Sequence, residues 1–234
     1  MGGYALAAVG TAQAQPPAAL PWPARLQMEF DVSGQARGLP YRASSRLAWQ
    51  SQDGRYEAQL EMRARFVGSR NQTSTGRWQD EQLMPERYVD QARVERRFQL
   101  DWARQRFEFW REGQLVREGP LDRGTQDRLS VFFALAWQAQ RRLSTPTADA
   151  GDPWQVRVIN QEGAEIWSFA DRGAERLDTP AGTLDTRQLD RLPGDHNNTG
   201  MTLWLSRSHG WLPARIQLTD PNGDVVDQRL RLAS

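Results

Sequence analysis

The 234-residue sequence contains no cysteine. That absence excludes disulfides, thiol catalysis, iron–sulfur clusters and zinc ribbons, and with them the acylated cysteine that anchors a bacterial lipoprotein. Lysine is missing as well, so all 30 basic residues are arginine, and 29 acidic residues bring the formal net charge to +1. The arginines fall in small groups (Arg93, Arg96, Arg97; Arg104, Arg106; Arg141, Arg142) with acids among them. Nucleic-acid binding needs a concentrated basic stripe and a clear positive excess, and the sequence offers neither. No apolar run reaches the length of a transmembrane helix.

Histidine is scarce: only His196 and His209 occur, both in polar turn sequences, and no Gly-x-Ser-x-Gly elbow accompanies them. Nucleophilic catalysis is therefore poorly supported. Asp190, Asp195 and His196 have no metal-ligand spacing. Neither a glycine-rich phosphate loop nor a dinucleotide fingerprint is present, so no cofactor is expected. Carboxylates such as Asp80-Glu81 and Asp220 with Asp224 read as turn residues, whereas a glycosidase would need two converging across a cleft.

What the sequence does contain is alternation. Leu26, Met28, Phe30 and Val32 take every second position, as do Leu39 to Trp49 and Tyr56 to Phe66. This is the period of half-buried strands, and Asp53-Gly54 supplies a hairpin turn between the second and third. Residues 69–79 are polar and fit a strand that is solvated or lines something wet. Further strand segments follow at Leu83–Tyr88, Val94–Leu100 and Phe107–Phe109. After an interruption they resume at Trp154–Val158 and run to Val226–Leu232, with Pro221-Asn-Gly-Asp224 as a late hairpin turn. Gly113 and Gly119-Pro120 read as turns.

The interruption is one apolar helix, expected from Gln126 to about Arg142. Leu129, Phe132, Phe133, Ala136 and Trp137 share a face, and Val131, Ala134 and Leu135 widen it. Such a helix is covered on more than one side. Thr125 is the expected N-cap, Asp127 sits in the first turn, and Arg141-Arg142 suit the C-terminal end. The fold class that follows is mainly β: a single curved antiparallel sheet of about ten strands, a half-barrel or open barrel, wrapped around one central helix.

The N-terminus carries an address. Tyr4–Val9 is a short apolar stretch, and Thr11-Ala-Gln-Ala14 offers a small-x-small cleavage pattern. Residues 1–14 are read as a residual signal-peptide segment, 15–24 as a Pro/Ala-rich leader, and 25–234 as one β-rich domain. The expected location is the periplasm.

Tryptophan is the unusual count, at ten. Such rings either fill the interior of a β-fold or line an apolar ligand cavity. The candidate ligand contacts are Phe132, Phe133 and Trp137 on the helix, with Trp167 or Trp204 opposite.

Several motifs occur together and in order. They are Thr75-Gly-x-Trp78 with Leu83-x-Pro85, Gln126-Asp-x-Leu-Ser130, Thr179-Pro-Ala-Gly-Thr183, and Leu203-Trp-Leu205 with Leu212-Pro-x-Arg-Ile216. This arrangement resembles the domain of unknown function family 3108, exported proteins of proteobacteria, over roughly residues 25–232. The resemblance implies a periplasmic β-rich protein and brings no established reaction with it. More distantly, the architecture is similar to the periplasmic lipoprotein-carrier half-barrels, whose sheets shelter acyl chains, although fold does not fix function. Those carriers close with several helices, and this chain shows one. Three functions are compatible with these features. One is a non-catalytic carrier of a lipid-like or other apolar ligand. The second is a cell-envelope assembly factor binding a protein partner, and the third a polysaccharide hydrolase.

Overall fold

The computed structural model describes residues 21–64, 68–144, 152–194 and 199–234. The first eight strands are β1 (Arg25–Ala36), β2 (Leu39–Gln52), β3 (Arg55–Ala64), β4 (Gly68–Gln79), β5 (Gln82–Gln91), β6 (Glu95–Asp101), β7 (Arg106–Arg111) and β8 (Gln114–Pro120). Helix α1 (Ser130–Ser144) follows. The chain then forms β9 (Trp154–Asn160), β10 (Gly163–Thr179), β11 (Gly182–Arg191), β12 (Gly200–Ser206), a 3₁₀ turn (Arg207–His209), β13 (Pro213–Thr219) and β14 (Val225–Ala233).

All fourteen strands belong to one antiparallel sheet, ordered β8-β7-β6-β5-β4-β3-β2-β1-β14-β13-β12-β11-β10-β9. The chain meanders outward to β8, crosses through α1 to the opposite edge, and returns strand by strand until β14 pairs with β1. The open architecture and, among the described residues, the single α-helix match the expectation, but the strand count there does not: the sheet has fourteen strands rather than about ten. One missed strand is β8, where every residue except Gly119 is exposed and no alternation exists to detect. Several others are short half-buried runs whose separation depends on the turns between them.

The two edges approach one another. Gln126, in the crossover, forms a parallel bridge with Val158 of β9. Arg117 of β8 donates from Nη1 to the Glu162 carbonyl in the β9–β10 turn at 2.8 Å. The sheet is therefore curled almost to closure. Its interior is filled by α1, which buries Val131, Phe132, Phe133, Leu135, Ala136 and Ala139. Phe133 lies 4.5 Å from Trp49 in a stacked arrangement and 5.2 Å from Trp22 edge-on. Trp22, just ahead of β1, is itself buried in this core and donates from Nε1 to the Gly210 carbonyl at 3.2 Å.

The polar strand β4 lines the interior with Gln72 and Ser74, both buried. Burying these groups is tolerable only because each is hydrogen-bonded. Gln72 Nε2 donates to the Tyr88 hydroxyl at 2.7 Å, and the Ser74 and Tyr56 hydroxyls share a hydrogen bond of 3.0 Å. Ser74 also donates to Asp127 Oδ2 at 2.5 Å. Asp127, and not Thr125, caps α1. Its Oδ1 accepts from the backbone N–H groups of Leu129 and Ser130 at 2.8 and 2.7 Å, and Ser130 Oγ accepts from Asp127 N at 2.9 Å. This is a reciprocal capping arrangement. The Thr125 hydroxyl instead turns back to the Asp122 carbonyl at 2.8 Å. Helical structure consequently begins after Asp127 rather than at Gln126, because Gln126 is committed to β9.

Two of the motifs noted in the sequence prove to be structural joints. Gly76 faces Pro85 across a register shift between Thr75 and Gly76, where a Cβ would meet the Met84 carbonyl oxygen at 2.2 Å. Only glycine admits that approach. Gln126 exchanges backbone hydrogen bonds with Arg157 and Ile159 while its Nε2 reaches the Leu83 carbonyl at 2.9 Å. One residue thus ties the crossover to both halves of the sheet.

Candidate functional site

Beside the C-terminal half of α1 the near-closed sheet leaves a groove of about 790 Å³. That volume lies within the range of small-molecule sites, about 300–1,000 Å³. Trp78 arrives from the end of β4, Leu83 from the start of β5, Gln126 from the crossover, Ala134 and Trp137 from α1, and Val156 from β9. Trp78 and Trp137 meet edge-to-face with ring centroids 5.3 Å apart. Gln138 fixes the helix to the opposite wall by donating from Nε2 to the Gln155 carbonyl at 3.0 Å.

The rim is basic. Arg123, Arg141, Arg142 and Arg157 line it, against the carboxylates Glu81 and Asp152. Arg141 lies 3.4 Å from Glu81 and stacks 5.9 Å above the Trp137 ring. Arg142 stacks on Trp154 at 5.2 Å, and Arg157 pairs with Asp122 at 3.1 Å. Three buried polar atoms on the groove-lining residues have no hydrogen-bond partner among the described residues: Gln126 Oε1, Trp78 Nε1 and Trp137 Nε1. Such atoms are costly in a folded protein and mark places where hydrogen-bonding capacity is unused.

The five candidate contacts do not converge. Trp137 lines the groove. Phe132 and Phe133 are buried in the aromatic core. Trp167 lies beneath the Arg191 guanidinium at 4.0 Å and donates to Glu165 Oε1 at 2.7 Å. Burial holds the Arg191 guanidinium below its ordinary pKa, with the nearby Glu165 carboxylate acting against that. Trp204 lies beneath Arg215 at 4.2 Å and donates to Glu175 Oε2 at 2.9 Å, while Arg215 grips Asp227 with two hydrogen bonds. Both tryptophans are locked into ion-pair clamps away from the groove. Trp78, Gln126, Arg123 and Arg157 join the site through strand and crossover geometry that no local pattern announces.

The titratable groups inside the protein are structural by position. Burial pushes the Asp127 carboxyl up to about 6, against the hydrogen bonds from Ser74, Ser130 and Leu129 that favour its charged form. Burial likewise raises Tyr56 and Tyr88 above the ordinary phenol range, and the Asp127 carboxylate adds to it. His209 is partly buried, its Nδ1 2.9 Å from Ser206 Oγ and 3.1 Å from Ser208 Oγ, and burial lowers its pKa. Asp190 bonds Arg172 and Gln188, while Asp195 and His196 lie outside the described residues. Among the described residues no three potential metal-ligating side chains are grouped, and no helix is long and apolar enough to cross a membrane.

A near-closed antiparallel sheet packed around one helix, with a groove at its mouth, defines a β-barrel-like protein. The chain belongs to the family described as protein of unknown function (DUF3108), whose family model matches residues 29–230. Among curated proteins there is no significant match. Of solved structures, it is similar to the beta-barrel-like protein of domain of unknown function DUF1849 from Brucella abortus. The two share 9% identity over 90% of this chain and 97% of that one, with a TM-score of 0.56, which is a likeness of fold. More remote are MucB (14% identity, 92% of this chain and 54% of that one, TM-score 0.34) and a candidate outer membrane lipoprotein-sorting protein domain from Vibrio parahaemolyticus (10% identity, 90% and 84%, TM-score 0.30).

Proposed function

We propose that this protein is a non-catalytic periplasmic binding or carrier protein for a lipid-like or other apolar ligand. The observation that carries the reading is the groove between α1 and β9, walled by Trp78, Leu83, Ala134, Trp137 and Val156. Small-molecule sites are usually concave and combine apolar walls with placed polar groups; this groove has the apolar wall and a strongly polar rim. The signal-like residues 1–14 support export. Ligand enters at the groove and rests against the Trp78–Trp137 pair, while Phe132 and Phe133 hold α1 in place from behind.

Titration of the purified protein with monolaurin, followed by tryptophan fluorescence, is expected to saturate at one equivalent. Trp137→Ala should weaken binding roughly tenfold while the protein remains folded by circular dichroism, since a central aromatic contact is worth about 1–2 kcal/mol or more. An unchanged affinity in that variant would remove the groove from consideration.

A second reading has its own observation. β8 is a sheet edge carrying exposed Leu115 (48%) and Val116 (57%), a surface suited to pairing with a strand of an envelope protein. In that case the chain acts as an assembly factor.

A further inference from the structure

We infer that the groove is built for a single-chain anionic amphiphile, with one acyl chain against the tryptophan wall and a phosphate or carboxylate head at the arginine rim. This rests on the reading of the groove as a ligand site and adds the ligand's charge and shape. Charge is the first argument. Four arginines line the groove against two carboxylates, and one of the four, Arg157, is answered by Asp122 outside the lining. The Arg141–Glu81 pair is exposed on both sides and therefore weak. Arg142 reaches the Asp152 backbone carbonyl at 3.4 Å and stacks on Trp154, with no ion pair among the described residues. Arg157 pairs with Asp122, and Arg123 has no ion-pair partner among the described residues.

Helix capping accounts for part of this pattern, because arginines near a C-terminus offset the helix dipole. It does not account for Arg123, which lies in the crossover, or Arg157, which lies on β9. Their arrival at the same rim as Arg141 and Arg142 is a product of the fold. Guanidinium groups match the planar, bidentate geometry of carboxylate and phosphate better than any other side chain.

The second argument is the groove's apolar side. Trp137, half-buried on α1, and Ala134 line the groove opposite the charged rim. A small, wholly polar anion would leave that side without an apolar partner. An amphiphile with one chain and one charged head serves both the tryptophan and the arginines.

The test compares lauroyl lysophosphatidylglycerol, lauroyl lysophosphatidylcholine, monolaurin and glycerol phosphate by calorimetry below their micellar concentrations, on the full chain. The anionic lysolipid is expected to bind at least tenfold tighter than monolaurin, with an advantage that shrinks as salt rises. Arg141→Gln/Arg142→Gln should lower the ratio of anionic-lysolipid to monolaurin affinity to near one, and Arg123→Gln, on an exposed crossover, should reduce that ratio in part. Equal affinity for charged and neutral lipids would overturn the inference and leave the apolar-ligand reading standing. Binding of none of the acyl compounds would overturn both. Glycerol phosphate binding as tightly as the lysolipid would make this a plain anion site and defeat the amphiphile.

Discussion

Phe133→Ala is expected to destabilise the protein by about 3–5 kcal/mol, the usual cost of emptying a large, fully buried aromatic site. Phe133 has no exposed surface and joins α1 to the sheet through Trp49 and Trp22. Trp49 in turn stacks on Tyr56 at 5.1 Å, so the void would open at the junction of helix, β2 and β3. For a domain of this size the melting temperature should fall by roughly 10 °C. Because Phe133 does not line the groove, ligand affinity of the folded variant should stay within about twofold of wild type. Trp137→Ala should show the reverse balance, with a smaller thermal shift and a larger loss of binding. A parallel loss of affinity in both variants would mean that the aromatic core and the groove are one site.

The second large effect concerns Asp127. Its carboxyl is raised from an ordinary 3.8 to about 6 by burial. A carboxyl whose pKa is higher in the folded state binds its proton more tightly there. The stability associated with that proton is complete below about pH 4, declines as pH rises through 6, and is absent above it. The difference corresponds to about 3 kcal/mol. Around it stand the Tyr56 hydroxyl on β3, Ser74 on β4, Tyr88 on β5 and Ser130 on α1, and among the described residues no ion pair to the carboxylate is formed. Asp127→Asn keeps the cap acceptor and can donate to Ser74, yet does not titrate. Subtracting its unfolding free energy from that of wild type should leave a curve that falls between about pH 4 and 6 and flattens above it. A flat difference across that range would show that the carboxylate is better solvated than its burial implies. Asp127→Ala should be destabilised at every pH by about 1–3 kcal/mol, since it strips two helix N–H groups and Ser74 of their acceptor.

Much of the architecture was legible because half-buried strands and an amphipathic helix write their burial into local spacing. Met28, Phe30 and Val32 on β1, and Leu47 and Trp49 on β2, are buried as their alternation predicts. What escaped was whatever local spacing does not encode. β8 has no buried face, so nothing in Gln114–Pro120 distinguishes it from a turn. β4 alternates polar with polar, and its inward set, Gln72 and Ser74, becomes intelligible only when Tyr56, Tyr88 and Asp127 meet it across the core. Asp127 resembles any acid in a first helical turn until the fold closes over it. The candidate site was legible only at Trp137. Trp167 and Trp204 carry the same aromatic signal, but Arg191 and Arg215, distant in sequence from them or on the neighbouring strand, turn both into clamps. Gln126, which joins the crossover to Leu83 and to β9, lines the groove through contacts that no local spacing announces.

The claim at the centre of this account is that the groove holds a lipid-like ligand in the cell. Native mass spectrometry of the protein purified from the periplasm without detergent tests it most directly. The account predicts a mass above that of the bare polypeptide, removable into organic solvent and reduced in Trp137→Ala. A bare mass that does not change when anionic lysolipids are added would contradict it.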